Sequence, residues 1–277
     1  MTSFIRPKNL NDLARDLGLG TYAPRGNGTD LDSPKTFSLR KAGNDYIFSN
    51  LAGFSGDVTL LADRLDGGNS KTYDQWRDYV IKNKDNIIIP SSVLLYQLAR
   101  CLYNLRDNSQ HQNIVQECAQ MLREDWDRKI PHTGTKITYG SGIEAVINHL
   151  QPDKSSSSIS LDIPELTRFD NDWSYFVLAP EQAELQPSTN YEMPKQVSPV
   201  LHALFGEGYE QAGEIFQYFA SRKNGAFREV RFWVPTESNR NTERAVVLGV
   251  SVWFGISAID GIGNHGSARG VVVSVGR

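Results

Sequence analysis

Few residues of this chain stand at spacings that support chemistry, and the first candidate is a glycine triplet. Gly261, Gly263 and Gly266 spell G-x-G-x-x-G. As a dinucleotide fingerprint that motif needs a strand before it, a helix opening on it, and an acidic residue about 20 positions later. Here the chain runs only to Arg277, and the stretch that follows, Val271-Val272-Val273-Ser274-Val275, reads as a strand. The match is therefore read as accidental, and no P-loop pattern occurs. The histidines, at 111, 132, 149, 202 and 265, have no second His or Cys at metal-ligand spacing. His149 and His202 are expected on short helices, half-buried or at the surface. Asp162, Glu165, Asp170 and Asp172 form an acidic group without EF-hand spacing, which reads as a solvated loop. No nucleophile elbow is present and no Ser/His/Asp set can be assembled. The expectation is a protein with no catalytic residue, no metal and no cofactor.

The elements that would position any site fall into two patterns. Residues 1–130 read as mainly helical after a loop-rich start, with Asn11 capping a short helix that Gly18 and Gly20 end. Tyr73, Trp76, Tyr79, Val80 and Ile81 predict an amphipathic helix over 73–83. Leu94, Leu95, Leu98, Leu102 and Leu105 recur at three- and four-residue steps after Pro90-Ser91-Ser92. A turn at Asp107–Gln110 leads to a second helix carrying Ile114, Val115, Cys118, Leu122 and Trp126, so the pair is an αα-hairpin. Cys101 and Cys118 lie on its apolar stripes and read as buried packing residues.

From 131 onward the pattern turns to strands. Lys136–Tyr139 and Ile159–Ile163 read as strands, and Ile143, Val146, Ile147 and Leu150 as a short helix between them. Helices are expected at 199–205, stopped by Gly206, and at 209–221. Short strands follow at 228–234, 244–252, 254–259 and 269–275, separated by Asn-, Gly- and Ser-rich turns. The fold class is α+β.

Composition narrows the partner. A formal net charge of −3 with scattered Lys and Arg argues against nucleic acid, which needs a clustered basic surface. The N-terminus lacks the apolar core of a signal peptide, and no apolar run is long enough to span a membrane. Cytoplasmic residence is expected, and a virion component would look the same.

The most unusual stretch is the last one. Over 249–259, Val250, Val252, Phe254, Ile256 and Ala258 make one apolar face. The other face, Gly249, Ser251, Trp253, Gly255, Ser257 and Ile259, is small, hydroxylic or aromatic where a solvated strand normally carries charge. From Ala245 to Arg277 there is no Lys, Glu, Gln or Met. Strands are depleted in Lys and Glu in any case. Small and aromatic side chains without long flexible ones are also what recognition surfaces use, because they give contact area at low entropic cost.

A resemblance joins these observations. The helix at 209–221 is followed by Phe232-Trp233-Val234-Pro235-Thr236-Glu237-Ser238, then Glu243-Arg244-Ala245-Val246, a residue-diverse stretch, and Ala268-Arg269-Gly270-Val271. This order resembles the C-terminal part of the variable proteins of diversity-generating retroelements, which have a C-type-lectin-like fold. It covers roughly 131–277 and is strongest over 209–277. In that family AAY codons are altered at adenines, which cannot produce Lys, Glu, Gln, Met or Trp. The types missing after Glu243 lie outside the reachable set, whereas Trp253 would be a fixed framework residue. Gln151-Pro152-Asp153 spells the Q-P-D of calcium-dependent sugar binding, but no W-N-D follows it. The cysteines that formylglycine-generating enzymes need are absent from this half.

The resemblance thus implies a helical N-terminal region, 1–130, followed by a C-type-lectin-like variable domain, 131–277. Its ligand-binding residues would be Ser251, Trp253, Gly255, Ser257, Asp260, Ile262, Asn264, His265 and Ser267. The partner would be a macromolecule, foremost a protein. The rival reading is a phage or plasmid structural or accessory protein, or an enzyme, whose C-terminal strands only pack on a subunit.

Overall fold

The computed structural model describes residues 36–82, 86–128, 131–140, 144–151, 153–162, 169–170, 173–179, 197–220, 229–235, 242–250, 254–261 and 266–275. The expected helix after Asn11 lies outside these residues. The fold is α+β, as the sequence predicts.

Residues 38–64, expected to be part of a helical region, are instead a three-stranded antiparallel meander. Its strands are β1 (Ser38–Ala42), β2 (Asp45–Ser49) and β3 (Gly56–Arg64). Alternation explains it: Tyr46 and Phe48 on β2, and Val58 and Leu60 on β3, are buried at every second position. Helix α1 (Tyr73–Lys82) follows and buries Tyr73, Trp76 and Val80. After the two-residue β4 (Ile87–Ile88) comes α2 (Ser92–Leu105). Ser91 caps it, its hydroxyl accepting from the Leu94 amide at 3.3 Å. Helix α3 (Gln112–Arg128) completes the predicted αα-hairpin.

The second half supplies β5 (His132–Tyr139), β6 (Glu144–Leu150), β7 (Ser156–Asp162), β8 (Phe169–Asp170) and β9 (Trp173–Ala179). Then come α4 (Ser198–Phe205), α5 (Ala212–Ala220), β10 (Val230–Pro235), β11 (Glu243–Val250), β12 (Phe254–Gly261) and β13 (Arg269–Val275). The larger sheet has the order β7-β6-β5-β11-β12-β10-β9-β8, and the smaller one β1-β2-β3-β13-β4.

Two expectations are corrected here. Residues 144–150 are a strand paired on both sides, to β5 and β7, and not a helix. Val146, Ile147 and Leu150 fit a helical spacing, but pairing on both sides satisfies this segment's backbone and buries Ala145, Ile147 and His149 in alternation. His149 is accordingly deep in the core at 2% exposure. Its Nε2–H donates to the Ala203 carbonyl (2.9 Å), which leaves Nδ1 to accept from the Thr135 hydroxyl (2.8 Å). Burial pushes its pKa down to about 4. His202, on α4, is half-buried as expected.

The chain also closes on itself. Strand β13 inserts between β3 and β4, so the C-terminal end completes the N-terminal sheet. Arg269 on β13 and Arg64 on β3 both bond the buried Asp125 carboxylate of α3, at 2.5 and 2.7 Å. Arg269 also donates to the Leu61 and Ala62 carbonyls. One hydrophobic core joins Phe48 and Leu60 of the small sheet, Leu98 and Leu122 of the helices, and Ile137 and Phe232 of the large sheet. The expected division at residue 130 therefore runs through one sheet and one core.

Candidate functional site

The site built upward from the sequence centres on β11 and β12 and on their neighbours β10 and β9. β11 and β12 form an antiparallel hairpin with Val250 opposite Phe254 and Gly249 opposite Gly255. Leu248 and Ile256 face each other and are fully buried, so their side of the hairpin is the core face. This agrees with the period-two reading.

The opposite face carries Gly249 and Gly255, which pair with each other. β10 lies parallel to β12 and sets Arg231 beside Gly255 and Trp233 beside Ser257. β9 then sets Tyr175 opposite Trp233. The outcome is a cluster: the Tyr175 and Trp233 rings are 4.8 Å apart and tilted by 43°, Trp233 is buried, and the Arg231 guanidinium lies 4.2 Å from the Tyr175 centroid. Glu229 pairs with Arg231 and holds it there. Such planar groups supply contact area with little loss of side-chain freedom.

The register shifts along the hairpin. Val247 pairs with Ser257 and Ala245 with Asp260, so β12 spends one extra residue, a β-bulge, between the two pairs. The β11 members of these pairs are closed off: Ala245 and Val247 are buried against Tyr73 of α1.

The glycines on the hairpin differ from those that hold the fold together. A Cβ on Gly255 would sit 3.7 Å from the Trp233 indole, and one on Gly249 would sit 4.0 Å from the Trp126 carbonyl; both are ordinary contacts. A Cβ on Gly213 would stand 2.2 Å from the Leu178 carbonyl oxygen, and on Gly134 2.7 Å from that of Ile89. Positions 249 and 255 have room for a Cβ, whereas 134 and 213 do not without movement of backbone.

Of the residues singled out in sequence, Gly255 is half-buried on β12, and Ser257 and Asp260 are β12 residues paired with Val247 and Ala245. Ser251, Trp253, Ile262, Asn264 and His265 lie outside the described residues. Ser267 is corrected: it is buried at 2% exposure, and its carbonyl accepts from the His132 amide at 2.9 Å. The reason lies one residue earlier. Gly266 exchanges both main-chain hydrogen bonds with Lys71, and its carbonyl also accepts from Trp76 Nε1 at 2.7 Å. The chain is thus clamped to α1 before residue 267.

Arg231, Tyr175 and Trp233 were not singled out as site residues. Trp233 sits in the quoted Phe232–Ser238 motif, but its partner Tyr175 belongs to a strand that the pattern of turns concealed. The aromatic and β-branched run Trp173-Ser174-Tyr175-Phe176-Val177 was the available signal.

Among the described residues no three His, Cys, Asp or Glu side chains converge as a metal site would require. Cys101 and Cys118 are free and buried, and burial drives the Cys101 thiol up to about 12 and the Cys118 thiol up as well. No described helix is long and apolar enough to cross a membrane. Compared with family models, curated proteins and solved structures, the chain matches none of them.

Proposed function

We propose that this chain is a hypervariable ligand-binding protein whose C-terminal coding end is diversified by a retroelement, and that it does no chemistry. Its variable side chains are carried by the β11–β12 hairpin and by the positions around it in 251–267, with Trp253 a fixed residue among them. The larger sheet with α4 and α5, closed by the pairing of β13 with β3, supplies a C-type-lectin-like scaffold for them. The carrying observation is the absence of Lys, Glu, Gln and Met from Ala245 to Arg277. Adenine-directed change of AAY codons leaves that signature.

Support comes from position 255, where an added Cβ meets only ordinary contacts, as a diversified position requires. The Tyr175–Trp233–Arg231 cluster beside it suits a fixed anchor, since a few aromatic and Arg residues carry most interface energy. The lectin-like assignment draws support from a mixed sheet packed on α4 and α5, and from a last strand that returns to pair near the start of the described chain. The partner is a macromolecule, foremost a protein.

The decisive test is genetic. DNA beside the gene should hold a near-copy of its 3′ end that differs only where the copy has adenine, with a reverse-transcriptase gene close by. An intact genome without a copy of codons 249–267 refutes the reading. The site itself is tested by Trp253→Ala combined with His265→Ala, which should abolish partner binding in a folded protein.

A further inference from the structure

An open sheet ends in strands whose outer row of N–H and C=O groups can pair with another chain, and natural edges are blunted by charge, brevity or bulges. The smaller sheet ends in β1 and β4, the larger one in β7 and β8. Strands β4 and β8 are two residues each. Strand β1 carries Arg40 and Lys41, both exposed. Strand β7 has none of these protections. Its seven residues, Ser156-Ser157-Ser158-Ile159-Ser160-Leu161-Asp162, include no Lys, Arg or Pro. They pair with β6 in unbroken register, from Ser156 opposite Leu150 to Asp162 opposite Glu144, so no bulge twists the edge away. Among the described residues no strand pairs with the other side of β7.

The sequence of β7 fits its own reversal. Ser156, Ser158, Ser160 and Asp162 are exposed on one face, and Ile159 is buried on the other. A second β7, turned about a twofold axis normal to the sheet at Ile159, pairs along the whole strand. Ser156 then stands opposite Asp162, Ser158 opposite Ser160, Ser157 opposite Leu161, and Ile159 opposite itself. Exposed residues meet exposed ones, and the two buried isoleucines meet each other. The Ser156 hydroxyl donates to the Asp162 carboxylate across the junction. Ser158 already donates to Asn148 Oδ1 at 2.6 Å, so it accepts from the Ser160 of the second copy. The twofold forms each unlike pair twice.

Charge selects the antiparallel arrangement. Asp162 is the one charged residue of the strand, and it stands at the end. Antiparallel pairing about Ile159 keeps the two carboxylates about 20 Å apart, beyond the screening length at physiological salt. In-register parallel pairing would set them side by side, where like charges repel.

We propose that the chain self-associates through β7 as a twofold dimer, joining two copies of the larger sheet edge to edge. The junction is separate from the β11–β12 hairpin, with β6 and β5 between them.

The test is sedimentation equilibrium of the full chain across the micromolar range, with circular dichroism to confirm folding. Wild type should sediment at twice the mass of one chain at the upper concentrations. Ser158→Lys with Ser160→Lys changes exposed positions only, but it sets like charges opposite each other twice and should weaken the dimer about 10-fold. Ser158→Lys with Ser160→Glu sets opposite charges across the same positions and should restore association to the wild-type level. That rescue requires Ser158 of one copy to face Ser160 of the other. A wild type that stays monomeric overturns the proposal and leaves β7 to a strand of another protein. A dimer unaffected by the first variant, or not restored in the second, overturns it as well.

Discussion

Replacing glycines one at a time separates display positions from framework positions. At Gly255 an added Cβ meets the Trp233 indole at 3.7 Å and nothing closer, so the first atom of a side chain there requires no movement. A side chain in place of glycine also reduces the freedom of the unfolded chain, worth about 0.4–1 kcal/mol in favour of the fold. At Gly213, near the start of α5, the Cβ of alanine would lie 2.2 Å from the Leu178 carbonyl oxygen on β9. Restoring ordinary contact needs a shift of about 1 Å between α5 and β9. Overpacking of that kind costs roughly 1–3 kcal/mol. At about 2–4 °C per kcal/mol for a chain of this size, Gly213→Ala should lower the melting temperature by several degrees, on the order of 5–10 °C. Gly255→Ser and Gly255→Tyr should leave it unchanged or slightly raised. Thermal unfolding followed by circular dichroism reads the difference. If Gly255→Ser melts as early as Gly213→Ala, position 255 is part of the framework and the display surface is misplaced.

Three further outcomes are expected. His149 is neutral in the fold with a pKa lowered to about 4, so between that value and about 6.5 the unfolded chain binds more protons than the native one. Its contribution is complete above pH 6.5 and is lost as pH falls toward 4, about 3 kcal/mol in all. Urea titrations at pH 7, 5.5 and 4.5 should show the decline, and His149→Gln should flatten it. Asp125→Ala leaves Arg269 and Arg64 facing an empty core position and should destabilise by about 3–5 kcal/mol; an unfolding free energy from denaturant titration within about 1 kcal/mol of wild type would show that the cluster is dispensable. Cys101 and Cys118 should resist a thiol reagent in the native protein and react fully in denaturant, and labelling of the native protein would contradict their burial.

Local patterning made much of this molecule legible. The leucine spacing of α2, the stripe of α3 and the stops at Gly206 are short-range features, and helix formation depends on short-range contacts. The C-terminal strands were readable for the same reason, as was the inward face of Leu248 and Ile256. Strand β6 was not. Val146, Ile147 and Leu150 suit a helix by spacing, and only β5 and β7 on either side decide for a strand.

The candidate surface divides along the same line. Residue types alone set its unusual composition, with neither Lys nor Glu from Ala245 onward. Three things needed the tertiary structure: the bulge that gives β12 one extra residue against Ala245 and Val247, the parallel strand that brings Arg231 and Trp233 beside Gly255, and the clamp at Gly266 that buries Ser267. Each depends on pairing between segments far apart in the chain. Such pairing is fixed by the closing of the whole core, and no window of neighbouring residues encodes it.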